Sequence, residues 1–155
     1  MTGDASSLGG LVVLGLEADD PRIETDLYPL LRQLRPHLTP RLFDALIAEG
    51  YPQGLRYLVA YRGHHAPQAA AGYRVIATSR GRILFLDDLV TDPGARSGGI
   101  GAALLDAVET IGQESGCTAI ELDSGLTNAA AHRFYFAQRM TVTAFHFAAS
   151  LAGPE

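Results

Sequence analysis

The chain has 155 residues, of which 47% are apolar and 19% charged, a composition that predicts one globular domain over residues 1–155. Seventeen acidic residues against twelve lysines and arginines give a formal net charge of −5, which argues against attraction to a nucleic-acid backbone. The single cysteine, Cys117, excludes an internal disulfide framework and a cysteine-rich zinc site, and the first residues lack a signal-peptide pattern. We therefore expect a cytoplasmic protein with no metal, no nucleic-acid partner and no membrane association.

The first third of the chain contains one apolar run followed by two helical patterns. Residues 10–16 are apolar between glycines and an acidic turn, which predicts a buried strand. Leucines at helical spacing predict a first helix over residues 27–34. Thr39 offers a side-chain cap and Pro40 suits the first helical position, so a second helix is predicted from there to Gly50.

Strand patterns then dominate until the helical period returns. Residues 56–61, 70–77 and 82–90 are three strand-like runs separated by turn residues, and an antiparallel meander is the simplest arrangement for them. A helix is predicted after Arg96, and Gly116 stands where a C-terminal glycine is favoured.

The remaining elements complete a mixed pattern. Residues 118–122 predict a strand, residues 128–136 a helix, and residues 141–151 a final apolar, aromatic strand. The order β, α, α, three β, α, β, α, β combines a meander with crossover helices. It predicts a mixed sheet and the fold class α/β or α+β.

Glycines cluster between the last meander strand and the helix after it. The loop consists of Arg96, Ser97, Gly98, Gly99, Ile100 and Gly101. Glycines let backbone N–H groups converge on an anion, and the helix N-terminus adds a partial positive charge. Arg96 adds a forked cation. The pattern predicts a pyrophosphate-binding loop, with a plain strand-to-helix turn as the alternative. No P-loop lysine follows and the loop does not open a βαβ unit, so ATP and NAD are not expected.

This loop and two flanking motifs resemble the GCN5-related N-acetyltransferase (GNAT) superfamily. Arg96, Gly99 and Gly101 match its signature Arg/Gln-x-x-Gly-x-Gly/Ala, residues 89–93 resemble the strand end before the loop, and residues 128–135 resemble its Asn-x-x-Ala-x-x-Phe-Tyr helix. The resemblance implies a mixed, mostly antiparallel central sheet with a splayed parallel strand pair and about four flanking helices. It also implies direct acyl transfer from acetyl-CoA.

The resemblance implies roles in cofactor binding. Main-chain groups of Leu89, Val90 and Thr91 would hold the pantetheine arm and the acetyl group. Amides of residues 96–101 would hold the pyrophosphate, and Asn128 would contact the cofactor arm.

Three residues are candidate catalytic groups. Tyr135 matches the tyrosine that many family members use as general acid toward the coenzyme thiolate; core packing of its ring is the alternative. Asp87 and Asp88 lie in an otherwise apolar strand, where facing a substrate would relieve the cost of burial. Either could attract the acceptor ammonium or take its proton, and Asp88 is favoured. Both share a face only if a β-bulge intervenes, and pairing with Arg82 or Arg133 is the alternative.

Other polar residues carry weaker signals. His132 and His146 either line the acceptor pocket or are ordinary satisfied polar residues. His64 and His65 lie in a predicted turn with poor geometry for a metal ion, and Cys117 has no partner at nucleophile spacing.

The predicted function is an acetyl-CoA-dependent N-acetyltransferase that acts on a primary amine of a small molecule. A protein or peptide N-acetyltransferase and a catalytically silent acyl-CoA-binding module remain the alternatives. The apolar last strand predicts a homodimer, because an open apolar edge invites pairing.

Overall fold

The computed structural model describes residues 10–63, 66–96 and 98–153. Predictions for His64, His65 and Ser97 fall outside these described residues. The chain divides into two compact units, one up to Leu122 and one from Asp123 onward, and each is described by itself. Within the described ranges, no helix is both long and apolar enough to cross a membrane.

The first unit is built on a five-stranded sheet. Its strands, in both chain order and spatial order, are β1 (Leu11–Leu16), β2 (Arg56–Arg62), β3 (Pro67–Thr78), β4 (Gly81–Thr91) and β5 (Ala119–Leu122). The first four run antiparallel to their neighbours, whereas β5 runs parallel to β4. The predicted meander and mixed sheet are confirmed.

The described residues contain four α-helices. They are α1 (Tyr28–Leu34), which follows a π-helical turn (Ile23–Leu27), α2 (Pro40–Gly50), α3 (Ile100–Glu114) and, in the second unit, α4 (Ala129–Ala137). The predicted cap of α2 is confirmed, because Thr39 Oγ1 accepts a hydrogen bond from Leu42 N at 3.2 Å. Gly116, with φ of 74°, ends the α3 segment as expected.

Helices cover both faces of the sheet in the first unit. On one face, helix residues and strand residues form one buried cluster that includes Leu27, Leu30, Leu31, Phe43, Ile47, Tyr57, Val59, Ala70 and Val90. On the other face, α3 lies against β3 and β4 with Leu104 and Val108 fully buried. Burying these apolar stripes against the sheet is what holds the strands in register.

The parallel pair β4–β5 is joined along only part of its length. Ile83 to Leu86 pair with Ala119 to Leu122, and residues 87–91 of β4 have no partner on the β5 side within the described chain. On their other side, residues 88–91 pair with β3. The parallel strand pair that the family resemblance implied is therefore β4 and β5.

The prediction of a final strand over residues 141–151 is wrong. This segment has no regular secondary structure and makes no backbone hydrogen bond to another described residue. Val142, Phe145 and Phe147 are 75%, 82% and 90% exposed. Alternating apolar and β-branched residues supply strand propensity, but a strand needs a partner edge, and the described part of the second unit contains none.

Candidate active site

The loop between β4 and α3 is shaped for an anion. At its start, Asp92 Oδ2 accepts a hydrogen bond from Gly94 N at 3.0 Å and caps a 3₁₀ turn over Pro93–Ala95. At its end, Gly99 adopts φ of 74° and is the N-cap of α3, with no side chain capping the helix. The first N–H groups of this 15-residue helix therefore lack side-chain partners.

These features fit the diphosphate of coenzyme A. A Cβ added at Gly99 would meet no atom within 4 Å, so open space lies beside the backbone there. A diphosphate needs hydrogen-bond donors and positive charge. The uncapped N–H groups that follow left-handed Gly99 are donors, and exposed Arg96 adds the charge. Leu89, Val90 and Thr91 lie beyond the last β4–β5 residue pair, so no residue of β5 pairs with them.

A β-bulge interrupts the β3–β4 ladder beside the two candidate aspartates. Gly72 pairs with Asp88 and Tyr73 pairs with Leu86, which leaves Asp87 as the extra residue. Both carboxylates consequently line the same cavity, which lies between the sheet and the C-terminal ends of α1 and α2. Adjacent strand residues such as Asp87 and Asp88 share a face only where a bulge of this kind intervenes.

This cavity, the acceptor cavity, has a volume of about 280 Å³. Its polar lining consists of Arg35, Glu49, Gln53, Tyr57, Arg74, Asp87 and Asp88. Three carboxylates against two guanidinium groups leave one excess negative charge in the lining. A positively charged amine is therefore better matched to it than an anion.

Asp87 is engaged in a bidentate ion pair. Arg74 Nη2 donates to Asp87 Oδ1 at 2.5 Å, and Arg74 Nε donates to Oδ2 at 3.0 Å. The hydrogen bonds from its guanidinium to Asp87 raise the pKa of Arg74. The partner of this aspartate is therefore Arg74, not Arg82 or Arg133.

Asp88 has a different environment. Its side chain is 14% exposed, and burial raises the pKa of its carboxyl above the ordinary aspartate value. Tyr57 Oη donates to Oδ2 at 3.0 Å, and Arg35 Nη2 lies 3.4 Å from Oδ1. Burial, with a further contribution from the Asp88 charge, raises the pKa of Tyr57, so its phenol stays protonated and donates. Asp88 is a partly desolvated carboxylate at a cavity wall.

The second unit holds the other predicted residues. Asn128 Oδ1 accepts a hydrogen bond from Ala131 N at 3.2 Å and caps α4. Tyr135 is half-buried on α4, burial raises its pKa, and its hydroxyl has no hydrogen-bond partner within residues 123–153. His132 Nε2 lies 2.8 Å from Gly125 O and His146 Nδ1 lies 3.0 Å from Asp123 Oδ2. Both histidines thus have local polar partners.

Sequence reasoning missed several residues around Asp88. They are Tyr57 on β2, Gly72 and Arg74 on β3, and Arg35 at the end of α1, and only strand register and helix packing bring them to the aspartates. No local pattern marks them. The capping role of Asp92 was detectable, since Asp before Pro-Gly is a turn signal. Cys117 is half-buried and a free thiol.

The sequence matches the Acetyltransferase (GNAT) family over residues 22–140, and the chain belongs to that family. Among curated proteins, it is 30% identical over 109 residues to the uncharacterized N-acetyltransferase YhdJ of Bacillus subtilis (strain 168), with 70% of this chain and 77% of that protein covered. The family uses acetyl-CoA, and the chain is accordingly an acyltransferase with acetyl-CoA as donor.

Solved structures share the same fold. The aminoglycoside N-acetyltransferase AAC(6')-Iy, in complex with CoA, superposes with a TM-score of 0.78 at 17% identity, covering 92% of this chain and 95% of that one. An aminoglycoside acetyltransferase from an uncultured soil metagenomic sample, in complex with sisomicin, gives 0.79 at 16% identity, covering 92% and 97%. At this identity the likeness establishes the fold.

Proposed function

We propose that the enzyme acetylates a primary amine of a small molecule, with Asp88 receiving the amine and Tyr135 as general acid. The observation that carries the proposal is the acceptor cavity with a partly desolvated carboxylate in its wall. Its volume of about 280 Å³ suits a small amine or one ring of a larger amine. The aminoglycoside acetyltransferases of the same fold support this substrate class.

Asp88 can prepare the amine for attack. An amine reaches the cavity as an ammonium ion, and only its neutral form is a nucleophile. The Asp88 carboxylate attracts the ammonium and takes its proton, either directly or through a water molecule. Because burial raises its pKa, Asp88 accepts a proton more readily than an exposed aspartate does. Asp87 is the second choice, since its oxygens are held by Arg74.

Tyr135 can donate a proton to the coenzyme A thiolate, the leaving group of the reaction. Bound acetyl-CoA supplies a thioester, whose thiolate leaves when the acyl group is transferred. The Tyr135 phenol has a pKa raised by burial and therefore stays protonated at neutral pH. The side-chain hydrogen bonds of the described second unit involve Asn128 and His132, not the Tyr135 hydroxyl. Asn128, which begins the same helix, is proposed to contact the cofactor arm.

We further propose that both units form one cytoplasmic catalytic domain. The family match over residues 22–140 spans the boundary at Leu122, which supports a single functional domain. The lone cysteine, Cys117, supports a reducing compartment, because no internal disulfide is possible.

A second copy of the chain is the proposed partner of the C-terminal segment, residues 141–151. Strand pairing between two copies would supply hydrogen-bond partners to the backbone groups of this segment that have none. It would also place the exposed side chains of Phe145 and Phe147 against the second copy. The result would be a homodimer.

The first experiment is calorimetric titration with acetyl-CoA, followed by a panel of primary amines with free thiol release as readout. We expect binding and amine-dependent release that falls about 100-fold or more in Tyr135→Phe and Asp88→Asn, the size typical of general acid–base groups. Asp106→Asn, an exposed aspartate on α3, is the matched control and should keep full activity.

Other outcomes select the alternatives. Release with peptide amines alone would replace the small-molecule acceptor with a protein or peptide. Acetyl-CoA binding with no release from either class of amine would favour a silent acyl-CoA-binding module. Full activity in Asp88→Asn would contradict the role of that carboxylate.

A further inference from the structure

Three residues on three adjacent strands lie in one row across the sheet. Tyr57 on β2 pairs with Gly72 on β3, and Gly72 pairs with Asp88 on β4. Directly opposed residues point to the same face of a sheet, so the Tyr57 and Asp88 side chains lie on one face with a glycine between them.

Gly72 makes the contact between the outer two residues possible. A Cβ added at Gly72 would overlap Cε1 of Tyr57, and it would also lie 3.0 Å from Cδ1 and Cζ of the same ring. The Tyr57 ring therefore lies directly over the Gly72 backbone. Any other residue at position 72 would occupy the space through which the phenol reaches the carboxylate.

Tyr57 is itself rigidly held. Its side chain is 1% exposed and belongs to the buried cluster formed by α1, α2 and the sheet. A ring fixed on all sides delivers its hydroxyl to a single position, which is 3.0 Å from Asp88 Oδ2. The hydrogen bond thus costs little entropy when it forms.

We propose that Tyr57 is a positioning residue for Asp88, which holds one carboxylate oxygen and leaves the carboxylate oriented toward the acceptor cavity. The proposal rests on the proposed function of Asp88 as the group that receives the amine. Because Gly72 has no side chain, the Tyr57 ring can cross its backbone and reach Asp88.

The other charged groups of the acceptor cavity do not replace Tyr57. They are Arg35 from the end of α1, Glu49 from α2, Arg74 from β3 and Asp87 from β4. Arg74 is held in its ion pair with Asp87. The Arg35 side chain is 61% exposed, and its Nη2 lies 3.4 Å from Asp88 Oδ1. An exposed ion pair of this length contributes little to holding the carboxylate. The hydrogen bond from Tyr57 lowers the pKa of Asp88 against the larger effect of burial.

The test is Tyr57→Phe, which keeps the buried ring and removes only the hydroxyl. We expect the Asp88 carboxyl to titrate at higher pH, followed by carboxyl ¹³C NMR, with its signal assigned by its loss in Asp88→Asn. We also expect a roughly tenfold lower kcat with a smaller change in KM, the size of one hydrogen bond to a charged group. The acid limb of the pH–rate profile should move to higher pH.

Tyr51→Phe is the matched control. Tyr51 Oη donates to Leu16 O at 2.7 Å from the same buried cluster, but Tyr51 does not line the acceptor cavity. It should lose comparable stability without moving the Asp88 titration. An unchanged Asp88 titration in folded Tyr57→Phe would overturn the proposal. A shifted titration together with full activity in Asp88→Asn would instead refute the proposed function and leave the positioning contact standing.

A second inference concerns Arg62, the last residue of β2. Because β2 and β4 are both antiparallel to β3, they run in the same direction and their C-terminal ends lie at the same end of the sheet. The β4–α3 loop begins at this end. A Cβ added at Gly98 would lie 3.9 Å from Arg62 Nη2, so the guanidinium lies against the loop. No carboxylate of the described ranges pairs with Arg62.

We infer that Arg62 binds a phosphate group of acetyl-CoA alongside Arg96. Coenzyme A carries a diphosphate and a ribose phosphate, and one arginine in the loop leaves much of that charge without a cation. A guanidinium that reaches in from a neighbouring strand supplies fixed, forked donors for it.

Calorimetry on Arg62→Ala tests this inference. We expect coenzyme A to bind about tenfold more weakly and with a smaller salt dependence, while acetyl-pantetheine, which lacks these phosphates, binds unchanged. Arg80→Ala is the control, because Arg80 lies in the turn between β3 and β4, at the opposite end of the strands. Its Nη2 pairs with Glu121 Oε2 at 2.8 Å. Unchanged coenzyme A affinity in Arg62→Ala, or an equal loss for acetyl-pantetheine, would overturn the inference.

Discussion

At the scale of single residues, Asp88 combines its proposed role in catalysis with a cost in stability. Its carboxyl is 14% exposed, and burial raises its pKa in the folded chain above the unfolded value. The folded protein therefore binds this proton more tightly than the unfolded chain does. Stability accordingly falls as pH rises through the window between the unfolded and the raised folded pKa, and the cost stays at higher pH.

Asp88→Asn should remove this cost. An asparagine of the same size can still accept the Tyr57 hydrogen bond but carries no buried charge. We expect its thermal midpoint to exceed that of the wild type at pH 8 and the difference to vanish near pH 3, where the aspartate is protonated. Activity should fall. Asp106→Asn should change neither quantity, and a lower midpoint for Asp88→Asn at pH 8 would show that the carboxylate is net stabilising.

At the scale of elements, glycines in the sheet differ in what surrounds them. Gly72 lies under the Tyr57 ring, whereas a Cβ at Gly15 on β1 would meet only Leu58 Cδ2 at an ordinary 3.7 Å. We expect Gly72→Ala to destabilise the protein by about 1–3 kcal/mol through overpacking and to reduce activity. Gly15→Ala should be neutral or slightly stabilising. Chemical denaturation measures both, and equal effects would contradict the argument.

The two ends of α3 offer another matched pair. Gly99 and Gly116 both have φ of 74°, and a Cβ at either would meet no atom within 4 Å. Alanine at either position should cost about 1–2 kcal/mol of stability, because both are left-handed. Only Gly99 lies beside the uncapped N–H groups of the helix. Calorimetry should show weaker acetyl-CoA binding in Gly99→Ala alone, and the same loss in Gly116→Ala would indicate a global effect.

At the scale of the whole molecule, the C-terminal segment predicts how the chain associates. Phe145→Ser with Phe147→Ser should convert the proposed homodimer into a monomer, as measured by analytical ultracentrifugation over a concentration series. Leu126→Ser is the control, because Leu126 is 93% exposed in the same unit but outside the segment. A wild-type protein that is monomeric at all concentrations would refute the homodimer.

Local signals predicted most of the elements. The caps and prolines placed α2, turn residues separated β2, β3 and β4, and the glycines located the loop before α3. Each of these depends on a few neighbouring residues, which is why sequence alone sufficed. The prediction of a final strand over residues 141–151 was wrong for a different reason. A strand forms only beside a partner strand, and local sequence does not show whether a partner is present.

The sequence by itself determined the family, the order of the elements from β1 to α4 and the position of the glycine-rich loop between β4 and α3. Tertiary structure decided how the residues around Asp88 are arranged. The bulge at Asp87 brings both carboxylates to one cavity, and the row from Tyr57 through Gly72 to Asp88 depends on the register of three strands. Register is a property of paired strands and packed faces, so residues far apart in the chain become neighbours only when the sheet forms.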